Sequence, residues 1–404
     1  MKEALFSKDR VNTGRQREID ALKAFSIIMM IITHCIDDLY AGYAENALAV
    51  IINDYLAQSV GASGFMICMG IGIIYSRSYN PEDHAKRGVS LLITGQLLNL
   101  FRYGLPYITG YIISGNPVMK AGTFLVFSGD ILQFAGLFFL CMALFRKLKL
   151  KSWHIFVIAI VLNLIGMALK LRISTGFYAL DQLFGLFVFT NSESYFPLFH
   201  WLIYPAFGML YGEQLMHVKD KKKFYSILIG PLAVIFAVYY YIGICVDQPV
   251  FTVFSEWRTF CCVNIFDAIM HLFCNTLMIT LGFFLTFKLS EKGAAPIRFI
   301  AGNINRYYCI HTVVVYFLEV FLIEIAEIEV NALICYSLAF FVIAICTICV
   351  IIYGKYMAAG CHEFFGRNIY FWYGVVVGMS IVLCIWASLG TAEFPNLLND
   401  YLDL

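Results

Sequence analysis

The chain has 404 residues, of which 61% are hydrophobic and 14% charged, and its mean hydropathy is +0.77. Such a composition excludes a soluble globular domain and fits a protein that crosses a membrane many times. The net charge of +1 gives no sign of nucleic-acid binding; in such a chain the placement of Lys and Arg carries the signal, and their sum does not.

Apolar stretches near the ~20-residue spanning length fall at 20–38, 57–76, 88–105, 122–145, 153–171, 196–213, 225–245, 261–287, 297–319, 331–353 and 369–389. They predict an all-α, polytopic bundle of about eleven helices. Lys2, Lys8, Arg10, Arg15 and Arg17 precede the first span. Later basic loops hold Arg77/Lys86/Arg87, Arg146/Lys147/Lys149/Lys151, Lys219/Lys221/Lys222/Lys223, Lys288/Lys292/Arg298 and Lys355/Arg367. The loops between them are acidic, with Asp37, Asp38, Glu45 and Asp54, then Glu319, Glu324, Glu327 and Glu329, and the tail carries Glu393, Asp400 and Asp403. By the positive-inside rule this alternation predicts a cytoplasmic N-terminus and an extracytoplasmic C-terminus. One miscounted span would break it. The expected layout is a basic segment 1–19, a single transmembrane unit 20–389 and a tail 390–404, in the plasma or inner membrane of the cell. No small-residue cleavage site follows the first apolar run, so that span is expected to be retained. The segment 171–195, with "FYALDQLFGLFVF", reads as re-entrant or superficial.

Thirteen cysteines lie mostly inside apolar runs without metal-type spacing, so they read as small buried residues, and no metal is expected. Gly61, Gly64, Gly70 and Gly72 in "GASGFMICMGIG" lack a phosphate-loop context and read as close-packing positions between helices.

Ionisable groups within spans are expensive and are functional hypotheses by default. In the first span Lys23 and His34 stand eleven residues apart; eleven steps at ~100° leave them ~20° out of register and ~16 Å apart on one helical face. In the 261–287 span Asn264, Asp267, His271 and Asn275 recur at helical spacing. Gln96, Asn99 and Arg102 end the third span, Asp130 and Gln133 begin the fourth, and His200, Trp201 and Tyr204 begin the sixth. With the predicted topology these groups share the outer half of the membrane with His34. They read as one hydrated, outward-open layer, the alternative being interhelical hydrogen bonds that only hold the bundle. Lys23, Lys86, Arg87, Arg298 and Arg306 cluster at inner ends, where snorkelling is the alternative; His311 follows Arg306 in "GNINRYYCIH", and a satisfied core histidine is its alternative. His154, His217 and His362 lie at loop edges and carry no argument.

These stretches resemble a known superfamily. "REIDALKAFSIIMMIITH" is similar to the first-helix signature of acyltransferase family 3 and of the related heparan-alpha-glucosaminide N-acetyltransferase family, with Lys23 and His34 at its two ends. "GFMICMGIG", "KRGVSLLITGQLLNL", "GDILQFAGLFFL", "FPLFHWLIYPAFGMLYG" and "GNINRYYCIH" follow in order, and "GDILQFAGL" and "FPLFHWL" are closer to the second family. Two departures concern the donor: Lys23-Ala24 replaces the usual Arg-Gly, and only Lys86-Arg87 stands where many relatives have a denser arginine motif.

The resemblance implies transfer of an acyl group, commonly acetyl, from cytoplasmic acyl-CoA to a hydroxyl or amine of a carbohydrate or glycan across the membrane. The donor phosphates would lie near Lys23, with Lys86, Arg87, Arg298, Arg306 and His311 as further donor-binding residues. His34 would be the base, or an acylated relay, with Asp37, Asp38 or Asp267 orienting its ring. Gln96, Asn99, Arg102, Asp130, Gln133, His200, Trp201, Asn264 and His271 would bind the acceptor. Besides donor and acceptor, the expected partners are membrane lipid and, as an open alternative, a second copy in a homodimer. The rival readings are a secondary transporter of a polar metabolite, against which no inverted repeat or interrupted helix is visible, and a catalytically silent sensor on the same fold.

Overall fold

The computed structural model describes residues 5–76, 80–176, 178–191, 193–241, 261–357 and 369–388. Lys2, Arg77, His362, Arg367 and the acidic tail 390–404 lie outside the described residues.

Helix α1, Arg17–Leu39, has 23 residues without Gly or Pro, about 35 Å of helix for a hydrocarbon core of ~30 Å. Glu18 and Asp20 stand in its first turn, where acids suit the positive end of the helix dipole. Both are buried and paired, Glu18 with Lys221 and Asp20 with Arg15 at 2.6 Å. After α1 come α2 (Ala47–Tyr75), α3 (Pro81–Asn99), α4 (Leu105–Ser114), α5 (Pro117–Gly122), α6 (Ile131–Lys147), α7 (Ser152–Leu169) and α8 (Tyr178–Gly185). Then follow α9 (Leu198–Trp201), α10 (Ile203–His217), α11 (Lys221–Tyr241), α12 (Ile265–Phe287), α13 (Ala295–Gly302), α14 (Ile304–Ile325), α15 (Ala332–Met357) and α16 (Ile369–Ser388). Among the described residues there is no β-strand, only isolated bridges Phe6–Val218 and Gly129–Ser194.

Eight of these helices, α1, α2, α7, α11, α12, α14, α15 and α16, are long and apolar enough to cross a membrane among the described residues. The remaining three expected spans are helical but differ from the expectation. At 88–105, α3 opens with Glu82, Asp83, Lys86 and Arg87; at 122–145, a 3-10 turn at Thr123–Phe127 precedes α6, which has 17 residues; at 196–213, α9 and α10 meet at Leu202 and α10 has 15 residues. In 171–195 the eight-residue α8 is too short to cross.

Helix α1 is the centre of the bundle. Its buried residues run round the helix, and it packs against α2, α12, α13, α14 and α15. Three basic segments, the N-terminal one and those around Lys221 and Arg298, meet at its N-terminal end. Residues 5–12 hydrogen-bond the backbone of 216–219, and Arg17 pairs with Glu291 of the loop before α13. Its other end carries His34, Asp37 and Asp38.

Two helix pairs close on glycine. A Cβ on Gly70 would lie 2.0 Å from the Pro205 carbonyl oxygen and one on Gly208 2.1 Å from that of Ile67, so α2 and α10 touch backbone to backbone. Gly88 and Gly136 bring α3 and α6 together in the same way, each Cβ position within 2.9 Å of the other's carbonyl oxygen. The expectation for "GASGFMICMGIG" therefore holds at Gly64 and Gly70; a Cβ on Gly61 would make only an ordinary contact, and one on Gly72 would meet nothing within 4 Å. Because the obstacle at Gly208 is backbone and cannot rotate away, Gly208→Ala should destabilise by about 1–3 kcal/mol, whereas Gly72→Ala should be near neutral. Thermal unfolding of both variants in detergent checks this contrast.

Candidate active site

A cavity of about 370 Å³ opens at the C-terminal end of α1. Its first wall comes from α1. His34 and Asp38 are four residues apart and so share a face, and His34 Nδ1 lies 3.4 Å from Asp38 Oδ2. That spacing orients the ring and leaves Nε2 as its remaining nitrogen. Asp37, one residue earlier, accepts a hydrogen bond from Asn53 Nδ2 at 2.6 Å, and the same amide reaches Asp54 at 3.1 Å.

Three stretches of π-helix surround this end. One is Ile51–Gly61 within α2, which supplies Asn53, Asp54 and Gln58 to the wall. The second, Leu100–Gly104, joins α3 to α4 and supplies Arg102 and Tyr103. The third, Glu319–Ile325, ends α14 and packs against α1 and α4. A π-turn widens the helix by one residue and turns side chains out of the regular register, which is why such turns recur at functional sites.

Arg102, only 2% exposed, forms the most buried wall. Its Nη1 is paired with Asp130 Oδ2, and its guanidinium stacks over the Tyr103 ring at 4.3 Å. Asp130 is fixed on several sides. It caps α6 in a capping box with Gln133, and Tyr308 of α14 donates to its Oδ2 at 2.6 Å. Tyr103 donates to Tyr316 at 3.2 Å, so a group of tyrosines frames the guanidinium.

His311 sits beside His34, ring centroids 5.4 Å apart. Its Nδ1 lies 2.9 Å from the Tyr307 carbonyl oxygen, which makes Nδ1 the protonated nitrogen. The expectation that grouped His311 with Arg306 at the inner end is corrected here. Five residues of helix separate the two by ~140° of rotation, and Arg306 points outward over the Tyr353 ring at 4.8 Å.

The structure brings together His34, Asp37, Asp38, Arg102 and Asp130 on one cavity, and it separates the rest of the expected layer. On α12, Asp267 is 0% exposed and held by Asn264 at 2.6 Å and Tyr239 at 3.5 Å, while His271 Nδ1 meets the Tyr204 hydroxyl at 2.8 Å. His200 meets the Val263 carbonyl and Trp201 donates to that of Cys261. None of these lines the cavity. The α12 stripe faces α10, α11 and the π-stretch of α2 instead of His34, since one straight helix offers one polar face in one direction. Asp267, one of the three carboxylates named as able to orient the His34 ring, is engaged by Asn264 and Tyr239 and does not line the His34 cavity. Gln96 and Asn99 both donate to the Val126 carbonyl, at 3.1 and 3.0 Å, and serve the turn before α6.

The inner-end cations divide as well. Arg298, with Arg15 and Arg17, lines a second cavity of about 180 Å³ at the N-terminal end of α1, and Glu291 bridges Arg17 and Arg298. The hydrogen bond from Arg17, with the charges of Arg17 and Arg298, holds the Glu291 carboxyl below its ordinary pKa. Lys23 is half-buried and lines neither cavity, Lys86 is exposed, and Arg87 lies over the Phe139 ring at 4.3 Å. Among the described residues no group of three His, Cys, Asp or Glu side chains is placed to hold a metal. Asn53, Gln58, Tyr103, Tyr195, Tyr308 and Tyr316 also stand on the wall without having been expected there, as does Asp54, which the sequence marks only as a loop charge; for the others the aromatic pair in "NINRYYCIH" is the one signal. In the sequence Arg15 and Arg17 carry only a topological signal.

Removing one member of a buried ion pair leaves the other unpaired, which costs about 3–5 kcal/mol. Asp130→Asn should therefore destabilise by that amount. Asp267→Asn, whose carboxylate is held by an amide and a hydroxyl, should change stability by about 1 kcal/mol. Thermal unfolding of both in detergent tests the difference, and equal losses would contradict it.

No curated protein and no solved structure matches this chain. Residues 15–243 match the family described as heparan-alpha-glucosaminide N-acetyltransferase, catalytic. That range holds α1 with His34 and Asp38, the first two π-turns, Arg102 and the Asp130 cap, and it exceeds half of the chain. The chain belongs to this family of membrane acetyltransferases.

Proposed function

We propose that this protein transfers an acyl group, most simply acetyl, from cytoplasmic acyl-CoA to a hydroxyl or amine of a carbohydrate on the opposite side of a plasma or inner membrane. The observation that carries this reading is the imidazole–carboxylate pair of His34 and Asp38 on the wall of a 370 Å³ cavity. An imidazole with an unperturbed pKa of ~6.5 is suited to take a proton near neutral pH. Nε2 of His34 takes the acceptor's proton as the acceptor oxygen or nitrogen bonds to the acyl carbon. The carbon–sulfur bond breaks, and the imidazolium, stabilised by Asp38, gives that proton to the departing thiolate.

Donor phosphates belong at the opposite end, where Arg15, Arg17 and Arg298 meet. There a phosphate would compete with Glu291, an exposed carboxylate that already bridges two of the guanidiniums. Lys23, half-buried one turn and a half further along α1, lies on the way from that end to His34. The N-terminus is cytoplasmic in this reading, because the three basic segments that meet at the start of α1 would obey the positive-inside rule. The transmembrane unit 20–389 acts as one domain.

His34→Ala should lower acetyl-CoA consumption, measured with a panel of carbohydrate acceptors, by ~10²–10⁴-fold while the purified protein stays monodisperse. Near-normal turnover would end the mechanism. The orientation is tested separately by impermeant thiol labelling of Lys222→Cys and Glu329→Cys, both exposed positions. The two should label from opposite faces of the membrane, and labelling from one face would overturn the topology.

A further inference from the structure

Arg102 is a buried cation that is only partly used. Asp130 engages Nη1, and Nε and Nη2 have no hydrogen-bond partner among the described residues although the side chain is 2% exposed. Those two nitrogens form the side edge of the guanidinium, a planar fork of parallel N–H donors. Burying such donors without acceptors is unfavourable, whereas a two-oxygen acceptor fills them both at once. The edge belongs to a residue on the cavity wall, and the group is rigid: the ring of Tyr103 supports it at 4.3 Å, and Asp130 is itself fixed by Tyr308 and by the start of α6.

Beside the Arg102–Asp130 pair, the α1–α2 side of the cavity is acidic. Asp37, Asp38 and Asp54 stand on the side of the cavity built by α1 and α2, with Asn53 and Gln58 beside them. His34 lines the same cavity, its Nδ1 3.4 Å from Asp38 Oδ2. A ligand that fits this distribution carries an anionic pair of oxygens at one end and a hydroxyl or amine at the other.

We propose that the free edge of Arg102 binds a carboxylate of the acceptor, so that this site selects a carboxylated sugar over its neutral counterpart. This rests on the reading of the cavity as the acceptor site, and it adds the chemical class of that acceptor. The fork holds the carboxylate, and the nucleophilic group is thereby presented toward His34. Lys in place of Arg would keep the charge and lose the fork, because an ammonium is a point donor without a planar edge.

The test is equilibrium dialysis of labelled D-glucuronate and D-glucose against the purified full-length chain in detergent, without acetyl-CoA. Wild type should retain glucuronate about tenfold better or more, the worth of a charge-assisted bidentate contact. Arg102→Lys should reduce glucuronate to the level of glucose. The double variant Arg102→Gln/Asp130→Asn, which leaves neither charge without its partner, should do the same and guards against misfolding of the single variant. Equal retention of the two sugars by wild type, or undiminished glucuronate binding by monodisperse Arg102→Lys, would overturn the proposal. So would a fall in transfer to a neutral acceptor by Arg102→Lys with glucuronate binding unchanged, which would assign the edge to the acyl oxygen. Because the dialysis needs no turnover, an active His34→Ala would refute the proposed chemistry without touching this result.

Discussion

The buried ion pair of Arg102 and Asp130 is the constraint on which the rest of the site depends. A guanidinium at membrane depth requires a counter-charge and fixed geometry, and Asp130 supplies both because it is anchored three ways. It caps α6, it receives the Tyr308 hydroxyl of α14, and it accepts Nη1 of Arg102 from the π-turn after α3. Three separate parts of the chain are thereby fixed against one another. α14, tied through Tyr308, also presents His311 to His34. The same pair leaves one guanidinium edge unused, so what holds the cavity wall together also equips it for recognition.

Around this pair the backbone departs from regular α-helix where the cavity lies. A straight membrane helix points its polar side chains at a neighbour, as α12 does with Asp267 and His271, and the result is a set of interhelical bonds that tie the bundle. The π-turns at Ile51–Gly61 and Leu100–Gly104 instead bring Asn53, Asp54, Arg102 and Tyr103 onto a shared cavity wall. Gly70 against Pro205, Gly208 against Ile67, and Gly88 against Gly136 hold the flanking helices at backbone distance.

The sequence made α1 legible in detail. Its length and the polar character of His34, Arg102 and Asp130 follow from composition and helical period, and these residues do share a cavity; Asp38 was one of three carboxylates the resemblance offered as partner of His34. The α12 stripe was equally visible and was assigned to the same layer. Period gives the face of a helix but not the neighbour that face meets, and here the neighbours are Tyr204 and Tyr239. The same limit applies to His311: chain proximity placed it with Arg306, while helical rotation turns it toward His34. Tyr316 left no trace because an aromatic residue in an apolar helix looks the same whether it faces lipid or a cavity, and Tyr195 left none because it reaches the wall from the loop before α9. The π-turns were hidden as well, since no residue pattern in "IINDYLAQSVG" marks a widened helix. The gathering of Arg15, Arg17 and Arg298 needed the contact between α1 and α13, which lie far apart in the chain.

In the account proposed here, an acyl group enters at the arginine end of α1 and leaves on an acceptor bound at the His34 end. Proteoliposomes holding the full-length protein test this most directly, with acetyl-CoA supplied on one side and the acceptor on the other. Acetylated acceptor is expected when acetyl-CoA faces the side of the basic segments and the acceptor faces the His34 cavity, and none when the two are exchanged. Product formed only with both substrates on one side of the membrane would contradict it.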